Sequence, residues 1–323
     1  MKIVSNTLSR ALGIAFLGGL LFGSGAALAQ QNPLIDYVTP AIPGVTAGGL
    51  AIQKLSEGHE GSEGPLGLPD GSFLFTETRA QRIVRVAEDG TLSTFLERSN
   101  GANGLALTPE GTLIAVQVVE PRVGVVHPPE KQTVLARDFE GKAFTRPNDV
   151  VRATNGDLYF TDSAQNATAE SAGPAVYRLA ADGRLERITT SLARPNGIVL
   201  SPDERTLYVA DTLGEHVVAI ALDAHGKASA PRPFAALQGW DANKGTSGAD
   251  GLAVDADGRL YVASTAGIEV FAADGKALGV IQLPVKPQNL AFAGSDKRWL
   301  YVVGQGTVLR FRTMSQGLTS RAK

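Results

Sequence analysis

Short runs of apolar residues, each introduced by a polar residue, recur along most of this chain. In residues 148–160 the polar Asn148 precedes an apolar stretch, an Asn-Gly turn and a second stretch that reads Leu-Tyr-Phe. The same order returns at residues 196–209 and 250–262, where the second stretch reads Leu-Tyr-Val. Apolar runs of about four to eight residues separated by turn residues are typical of β-strands. The pattern therefore predicts a β unit that is used repeatedly.

Three further copies, at residues 63–75, 103–116 and 288–302, bring the number of units to six. The polar residues that lead the units recur 38 to 54 positions apart, and they are Glu63, Asn103, Asn148, Asn196, Asp250 and Gln288. A period of about 40 to 50 residues is the length of four short antiparallel strands, which make one blade of a β-propeller.

The third unit contains all four strands of such a blade. Asn155-Gly156 and Asp182-Gly183 are the residue pairs that tight hairpin turns require. They and the apolar runs predict strands at residues 149–152, 157–161, 175–179 and 184–189.

The last unit is one strand short, because the chain ends soon after a strand predicted at residues 307–312. Ahead of the first unit lies an unassigned strand, at residues 50–55. A propeller must close its ring to avoid open sheet edges. The sequence therefore predicts an all-β, six-bladed β-propeller whose last blade is closed by an N-terminal strand. We expect residues 30–323 to form this single domain.

The composition agrees with a loop-rich β fold and excludes several kinds of catalytic and metal site. The 323 residues include 37 Gly, 17 Pro and no Cys, and the formal net charge is −2. The lack of cysteine excludes disulfides, thiolate catalysis and thiolate metal sites. This net charge is not the excess of positive charge that binding to nucleic acid or to an anionic membrane surface requires.

The N-terminus has the organisation of a secretory signal peptide. Lys2 and Arg10 precede an apolar run over residues 11–26, which ends in the small-residue pattern Ala27-Leu28-Ala29. The alternative is a membrane anchor, but several glycines dilute the run, and a spanning helix needs about 20 strongly apolar residues. We expect a signal peptide at residues 1–29, cleavage after Ala29, a periplasmic or secreted protein, and no membrane association after cleavage.

The six leading residues share one chemical property, since every one of them is a carboxylate or a carboxamide. In a propeller the first strand of each blade lines the central channel, so these side chains are expected to meet at one mouth. Oxygen-bearing side chains that converge on an axis suit a hard cation. Without a cation, Glu63 and Asp250 would repel each other and one would stay protonated. The alternative interpretation is that Asn and Asp only begin turns and strands.

Several short motifs at the spacing of the blades resemble one known family. Residues 63–65 read Glu-Gly-Pro, residues 146–149 read Arg-Pro-Asn-Asp, residues 194–197 read Arg-Pro-Asn-Gly, and residues 250–252 read Asp-Gly-Leu. This set resembles the SMP-30/gluconolactonase/regucalcin-like family, six-bladed propellers that bind calcium or zinc and open sugar lactones. The resemblance implies that Glu63, Asn148, Asn196 and Asp250 bind one divalent metal ion. It also implies that Asp250 acts as the general base.

The donor set and its neighbours refine these expectations. Ca²⁺ takes about six to eight oxygen ligands and suits the site best, Mg²⁺ and Mn²⁺ are alternatives, and Zn²⁺ is possible although it prefers nitrogen and sulfur. Arg146 lies two residues before Asn148, so both side chains point to the same side of an extended segment. Arg146 is expected to bind substrate or an oxyanion, unless it only makes a salt bridge at the rim. Arg194, which stands in the same relation to Asn196, and Asn103 are further substrate-binding candidates.

Three functions remain open at this point. The first is metal-dependent hydrolysis of a sugar lactone such as gluconolactone, a small molecule. The second uses the same metal site on an aryl ester, another lactone or an organophosphate. The third is a non-catalytic binding propeller in the periplasm that calcium stabilises. None of the four histidines leads a unit, so a serine hydrolase mechanism has no recognisable base. The sequence predicts no oligomeric state.

Overall fold

The computed structural model describes residues 33–164 and 167–323 of the chain. The signal peptide predicted at residues 1–29 lies outside these residues. Within them, no helix has the length and apolar character that crossing a membrane requires. The N-terminal strands of the described chain are β1 (Pro33–Val38), β2 (Ala41–Ile42), β3 (Thr46–Ala47) and β4 (Ala51–Glu57).

Five sheets of four antiparallel strands follow, each with its strands in chain order. Blade one consists of β5 (Ser62–Gly67), β6 (Phe73–Glu77), β7 (Arg82–Val86) and β8 (Leu92–Leu96). Blade two consists of β9 (Ala102–Leu107), β10 (Leu113–Gln117), β11 (Arg122–His127) and β12 (Thr133–Ala136), with a 3-10 turn at Pro129–Lys131. A separate hairpin, β13 (Asp138–Phe139) and β14 (Lys142–Ala143), leads to the next blade.

The next three blades repeat the same order. Blade three consists of β15 (Pro147–Arg152), β16 (Leu158–Asp162), β17 (Ala175–Leu179) and β18 (Leu185–Thr189). Blade four consists of β19 (Pro195–Leu200), β20 (Thr206–Asp211), β21 (His216–Ala221) and β22 (Arg232–Ala236). Blade five consists of β23 (Leu252–Val254), β24 (Leu260–Ser264), β25 (Gly267–Phe271) and β26 (Ala277–Ile281). The first strand of blade three begins two residues earlier than predicted, because Pro147 already pairs with Asp162 of β16.

Both ends of the repeat region contribute to the sixth blade. The C-terminal part of the chain supplies three of its strands, which are β27 (Asn289–Ala293), β28 (Trp299–Gly304) and β29 (Thr307–Arg312). The N-terminal strand β4 pairs with β29, from Thr307 opposite Glu57 to Arg310 opposite Gln53, and β1 adds a fifth strand outside it. The predicted closure of the last blade by an N-terminal strand is confirmed, with the strand at 51–57 instead of 50–55.

The inner strands form a closed ring, since each of β5, β9, β15, β19, β23 and β27 contacts the next and β27 contacts β5. Neighbouring inner strands approach each other closely just after the leading residues. Several leading residues are therefore followed by glycine, which has no side chain to clash with the next strand. A Cβ added to Gly64 would lie 1.8 Å from the carbonyl oxygen of Asn103 in the neighbouring blade. A Cβ added to Gly251 would lie 1.9 Å from Oδ1 of Asn289. A side chain at either position would push two blades apart.

The core lies between adjacent blades and is built largely by the second stretch of each unit. Tyr159, Tyr261 and Tyr301, which come from the repeated Leu-Tyr pattern, are among the largest fully buried side chains. Tyr301 of blade six stacks on Phe73 of blade one with ring centroids 4.5 Å apart. Burying one large apolar side chain contributes about 1.5–3 kcal/mol. Aromatic packing therefore joins blades six and one, while the pairing of β4 with β29 completes blade six itself.

Candidate active site

The leading residues of the six units all lie at the starting end of an inner strand. Four of them, Glu63, Asn103, Asn148 and Asn196, are the second residues of their strands. Asp250 lies two residues before β23, and Gln288 immediately precedes β27. Because the inner strands form a ring, these six residues lie at the same end of that ring.

The carboxylate of Glu63 accepts hydrogen bonds from side chains of the sixth blade and of the residue that precedes it. Its Oε1 accepts a hydrogen bond from Nε2 of Gln288 at 3.1 Å, and its Oε2 accepts one from Nδ2 of Asn289 at 3.4 Å. Burial, with the nearby negative charge of Asp149, raises the pKa of the Glu63 carboxyl to about 7 despite these hydrogen bonds. The positive charge of Arg146 acts in the opposite direction. Glu63 is therefore a carboxylate that needs further positive charge to stay ionised.

The carboxyl of Asp250 also has a raised pKa. Burial raises the pKa of its carboxyl well above the usual value, and the negative charge of Glu63 raises it further. Lys286 and a hydrogen bond from Asn196 only partly oppose these effects. The main chain around Asp250 is held firmly, because its N–H donates to Ala263 O at 2.9 Å. The structure thus brings the two predicted acidic ligands within electrostatic range of each other.

Asn196 presents an oxygen that nothing in the described protein satisfies. Its Nδ2 donates to Oγ1 of Thr212 at 3.0 Å, which fixes the orientation of the amide. Its Oδ1 is buried and has no hydrogen-bond partner. Leaving a buried acceptor unpaired costs about 1–3 kcal/mol. A cation beside Oδ1 would remove that cost, so the amide fits the predicted metal site.

Asn148 occupies the equivalent place at the start of β15 and is partly exposed. The four predicted ligands are two carboxylates and two amides, so all their donors are oxygens or can present one. The described residues contain no group of three or more His, Cys, Asp or Glu side chains placed to hold a metal ion. The donor atoms of the four candidate ligands are the oxygens that hard cations prefer.

The predicted substrate-binding residues differ in what surrounds them. Nε of Arg146 is buried without a hydrogen-bond partner, and the charge of Arg146 favours the ionised form of Glu63. This environment fits the substrate or oxyanion interpretation better than a salt bridge at the rim. Arg194 is held through its backbone N–H, which donates to Oδ1 of Asp211 at 2.8 Å. Asn103 is buried, and its carbonyl oxygen accepts a hydrogen bond from Thr76.

A set of side chains at the ends of second strands holds the segments that lead into the site. Asp162 accepts hydrogen bonds from the backbone N–H groups of Thr145, Arg146 and Ala164 at 2.8–2.9 Å. Asp211 does the same for the segment that precedes Asn196. We did not predict these anchors. They occupy one repeated position, which in the first four blades is Glu77, Gln117, Asp162 and Asp211, so extending the repeat alignment by two residues would have found them.

Asp149 is a second residue that the sequence analysis left without a role. It is fully buried, and its Oδ1 accepts from the N–H of Val150 while its Oδ2 accepts from the N–H of Ile198. Nζ of Lys323 forms an ion pair with the same Oδ2. Arg321 donates to Ser201 O at 2.9 Å and pairs with Glu204 at 3.0 Å. The last residues of the chain therefore place one cation against Asp149 and another against Glu204.

The comparisons with known proteins agree with this architecture. A family model described as SMP-30/Gluconolactonase/LRE-like region matches residues 61–305. The gluconolactonase of Zymomonas mobilis subsp. mobilis is 28% identical over 327 residues, which cover 91% of this chain and 92% of the relative. The pentonolactonase XacC of Haloferax volcanii is 28% identical over 251 residues, 76% and 81% of the two chains. The solved structure of a gluconolactonase from Xanthomonas campestris superposes with a TM-score of 0.77 at 27% identity, covering 87% of this chain and 96% of that one.

Proposed function

Because the chain belongs to the SMP-30/Gluconolactonase/LRE-like family, we propose that it hydrolyses a sugar lactone at a divalent-cation site. The ligands would be Glu63, Asn148, Asn196 and Asp250. Relatives similar over most of their length are a gluconolactonase and a pentonolactonase, which supports lactone hydrolysis. The observation that carries the metal is the buried, unpaired Oδ1 of Asn196 beside a carboxylate whose pKa burial raises.

The charge and donor types favour Ca²⁺ as the ion. Two carboxylates and two amide oxygens leave a Ca²⁺ ion about two to four further coordination positions, which water and substrate can fill. Mg²⁺ and Mn²⁺ also accept oxygen ligands, whereas Zn²⁺ more often takes nitrogen and sulfur. When bound, such an ion polarises a lactone carbonyl as a Lewis acid.

Asp250 is the proposed general base. Its carboxylate would take a proton from the water that attacks the lactone carbonyl carbon. The bond between that carbon and the ring oxygen then breaks, and the proton passes to the ring oxygen, which leaves an open-chain acid. General-base catalysis of this kind contributes about 10²- to 10⁴-fold to a rate.

Arg146 is the proposed substrate-binding residue. Its buried Nε lacks a partner, and its guanidinium can donate to a sugar hydroxyl or to the carbonyl oxygen as negative charge develops there. Asn103 and Arg194 stay candidates for the same task on the neighbouring blades. A sugar, with many hydroxyl groups, suits such polar walls better than an aryl ester does.

The decisive experiment measures acid release from a panel of lactones and esters by metal-free protein, with and without added ions. We expect aldonolactones to be hydrolysed only after Ca²⁺, Mg²⁺ or Mn²⁺ is restored. Faster turnover of aryl esters or organophosphates would move the assignment to an esterase on the same site. A protein that loses stability on chelation but hydrolyses no ester would instead be a binding propeller.

A matched pair of variants locates the ion. Asn196→Ala should weaken Ca²⁺ binding about tenfold or more in calorimetry, since it removes the unpaired oxygen. Asn103→Ala, at the equivalent position of blade two, should leave the Kd for Ca²⁺ unchanged. Equal losses in the two variants would contradict the proposed ligand set.

We also propose that the protein is exported, as the N-terminal pattern of residues 1–29 indicates. Fractionation of cells that express the full chain tests this proposal. Mature protein beginning at Gln30 in the periplasm or medium is the expected result. Protein that keeps its N-terminus and stays with the membrane would favour the anchor.

A further inference from the structure

Outside the channel, three side chains form a continuous hydrogen-bonded series. Ser56 lies in β4, His59 in the loop that follows, and Glu77 at the end of β6. Oγ of Ser56 lies 2.7 Å from Nε2 of His59, and Nδ1 of His59 lies 3.1 Å from Oε1 of Glu77. A hydroxyl, an imidazole and a carboxylate in this order are the components of an activated nucleophile.

The hydrogen bonds determine the tautomer of the imidazole. Burial alone would raise the pKa of Glu77, but hydrogen bonds from Arg82, from the N–H of Glu60 and from His59 outweigh it and hold the pKa below the usual value. An ionised carboxylate only accepts hydrogen bonds, so Nδ1 of His59 carries the proton and donates it. In the neutral imidazole Nε2 is then an acceptor, to which the hydroxyl of Ser56 donates. This is the arrangement that general-base activation of a serine needs.

His59 and Glu77 have buried side chains, whereas Ser56 is partly exposed. The Glu77 side chain is 1% exposed and that of His59 is 9% exposed. The imidazole packs edge-on against Phe75 with ring centroids 4.8 Å apart, and the His59 N–H donates to Gly306 O at 3.1 Å. Ser56 itself is half-buried at the end of its strand. The hydroxyl is therefore the end of the series at which we expect a small reagent to react.

Comparison with the other blades separates this series from ordinary loop anchoring. Glu77 stands at the same repeated position as Asp162 and Asp211, and like them it accepts a backbone N–H of the segment that leads into its blade. Anchoring accounts for the Glu60 N–H contact. It does not require a histidine on the same carboxylate or a serine on that histidine, and among the described anchors only blade one has them. His59 is also a base that the repeat pattern does not indicate, because it does not lead a unit.

We propose that Ser56 is an activated nucleophile that takes an acyl or phosphonyl group from small electrophilic esters, with His59 as its base and Glu77 as the residue that orients the base. With an ester, a bond forms between Oγ and the acyl carbon and the bond from that carbon to the alkoxide breaks. The hydroxyl proton moves to Nε2 of His59 and then to the departing alkoxide. With a fluorophosphonate, the oxygen–phosphorus bond forms and fluoride leaves, while the proton stays on the imidazole.

The test uses the full chain, folded and loaded with Ca²⁺, and a fluorophosphonate probe, with the labelled serine identified by peptide mass spectrometry. We expect stoichiometric labelling of Ser56, none in Ser56→Ala, and labelling at least about tenfold slower in His59→Asn. Glu77→Gln should label at an intermediate rate, since the base is kept and only its orientation is weakened. Ser191, whose hydroxyl forms a hydrogen bond with that of Thr189, is the internal control.

Thermal unfolding of each variant excludes loss of fold as the cause of slow labelling. Labelling of Ser56 at the same rate as Ser191, or at the same rate with and without His59, would overturn the proposal and leave the series as a structural latch. The readout needs no lactone turnover, so this site and the proposed lactonase site can fail independently.

Discussion

Two sets of buried acidic groups near the start of the inner strands are in opposite conditions. Asp149 is fully buried, yet it is paired with Lys323 and accepts two backbone N–H groups. At the entrance Glu63 and Asp250 repel each other, and the pKa of each carboxyl is raised. The chain itself supplies the cation that pairs with Asp149. In the proposed function, Glu63 and Asp250 receive their cation from solution, which is the property of a binding site.

Asp250→Asn should have the largest effect, because it removes both the proposed base and a ligand. We expect kcat/KM on gluconolactone to fall about 10³-fold, and Ca²⁺ binding to weaken, with circular dichroism unchanged. Turnover at the wild-type rate would show that another group takes the proton.

Lys323→Met tests the ion pair with Asp149 in the same way. Removing one partner of a buried ion pair costs about 3–5 kcal/mol, since the remaining charge is left uncompensated. We expect the free energy of unfolding to fall by about 3 kcal/mol in urea titrations. The double variant Asp149→Asn with Lys323→Met is the control and should recover much of the loss. If Lys323→Met is as stable as the wild type, the fold does not depend on this ion pair.

Deprotonation of Glu63 should make the metal-free protein less stable as pH rises. The pKa of Glu63 is about 7 in the folded chain, above its ordinary value of 4.5, so the folded state holds a proton that the unfolded state has released. This stabilisation is complete below pH 4.5 and is lost as pH rises through 7. We expect a decrease of about 2–3 kcal/mol from pH 5 to pH 8 in chelator.

Two comparisons check the origin of that decrease. Saturating Ca²⁺ should reduce it, because the ion stabilises both ionised carboxylates at high pH. Glu63→Gln should also reduce it, because the titrating group is gone. A metal-free protein whose unfolding free energy is the same at pH 5 and pH 8 would contradict the raised pKa.

Arg146→Lys should have the smallest effect. The charge near Glu63 is kept, but the planar set of donors is lost. We expect KM for the lactone to rise about tenfold, with kcat changed less, as steady-state kinetics would show. Arg194→Lys is the matched control on blade four. An unchanged KM in Arg146→Lys together with a raised KM in Arg194→Lys would assign substrate binding to Arg194 instead of Arg146.

The fold was predictable because its signals are local and periodic. The Leu-Tyr stretches, the Asn-Gly and Asp-Gly turns and the spacing of the leading residues indicate six four-stranded units. The missing strand of the last unit then indicates how the ring closes. The ends of individual strands were less predictable, since cross-strand pairing such as Pro147 with Asp162 decides them. Which side chains hold a cation stays a prediction.

The sequence by itself determined the repeat, the closed ring and the oxygen-rich residues at the head of each unit, because each of these repeats or sits at a fixed offset along the chain. Only the tertiary structure decided that Lys323 neutralises Asp149, 174 residues away. It also decided that His59 lies between Ser56 and Glu77, and that Oδ1 of Asn196 is buried without a partner. Those contacts depend on how blades pack side by side, and no spacing along the chain encodes the distance between two side chains on different blades.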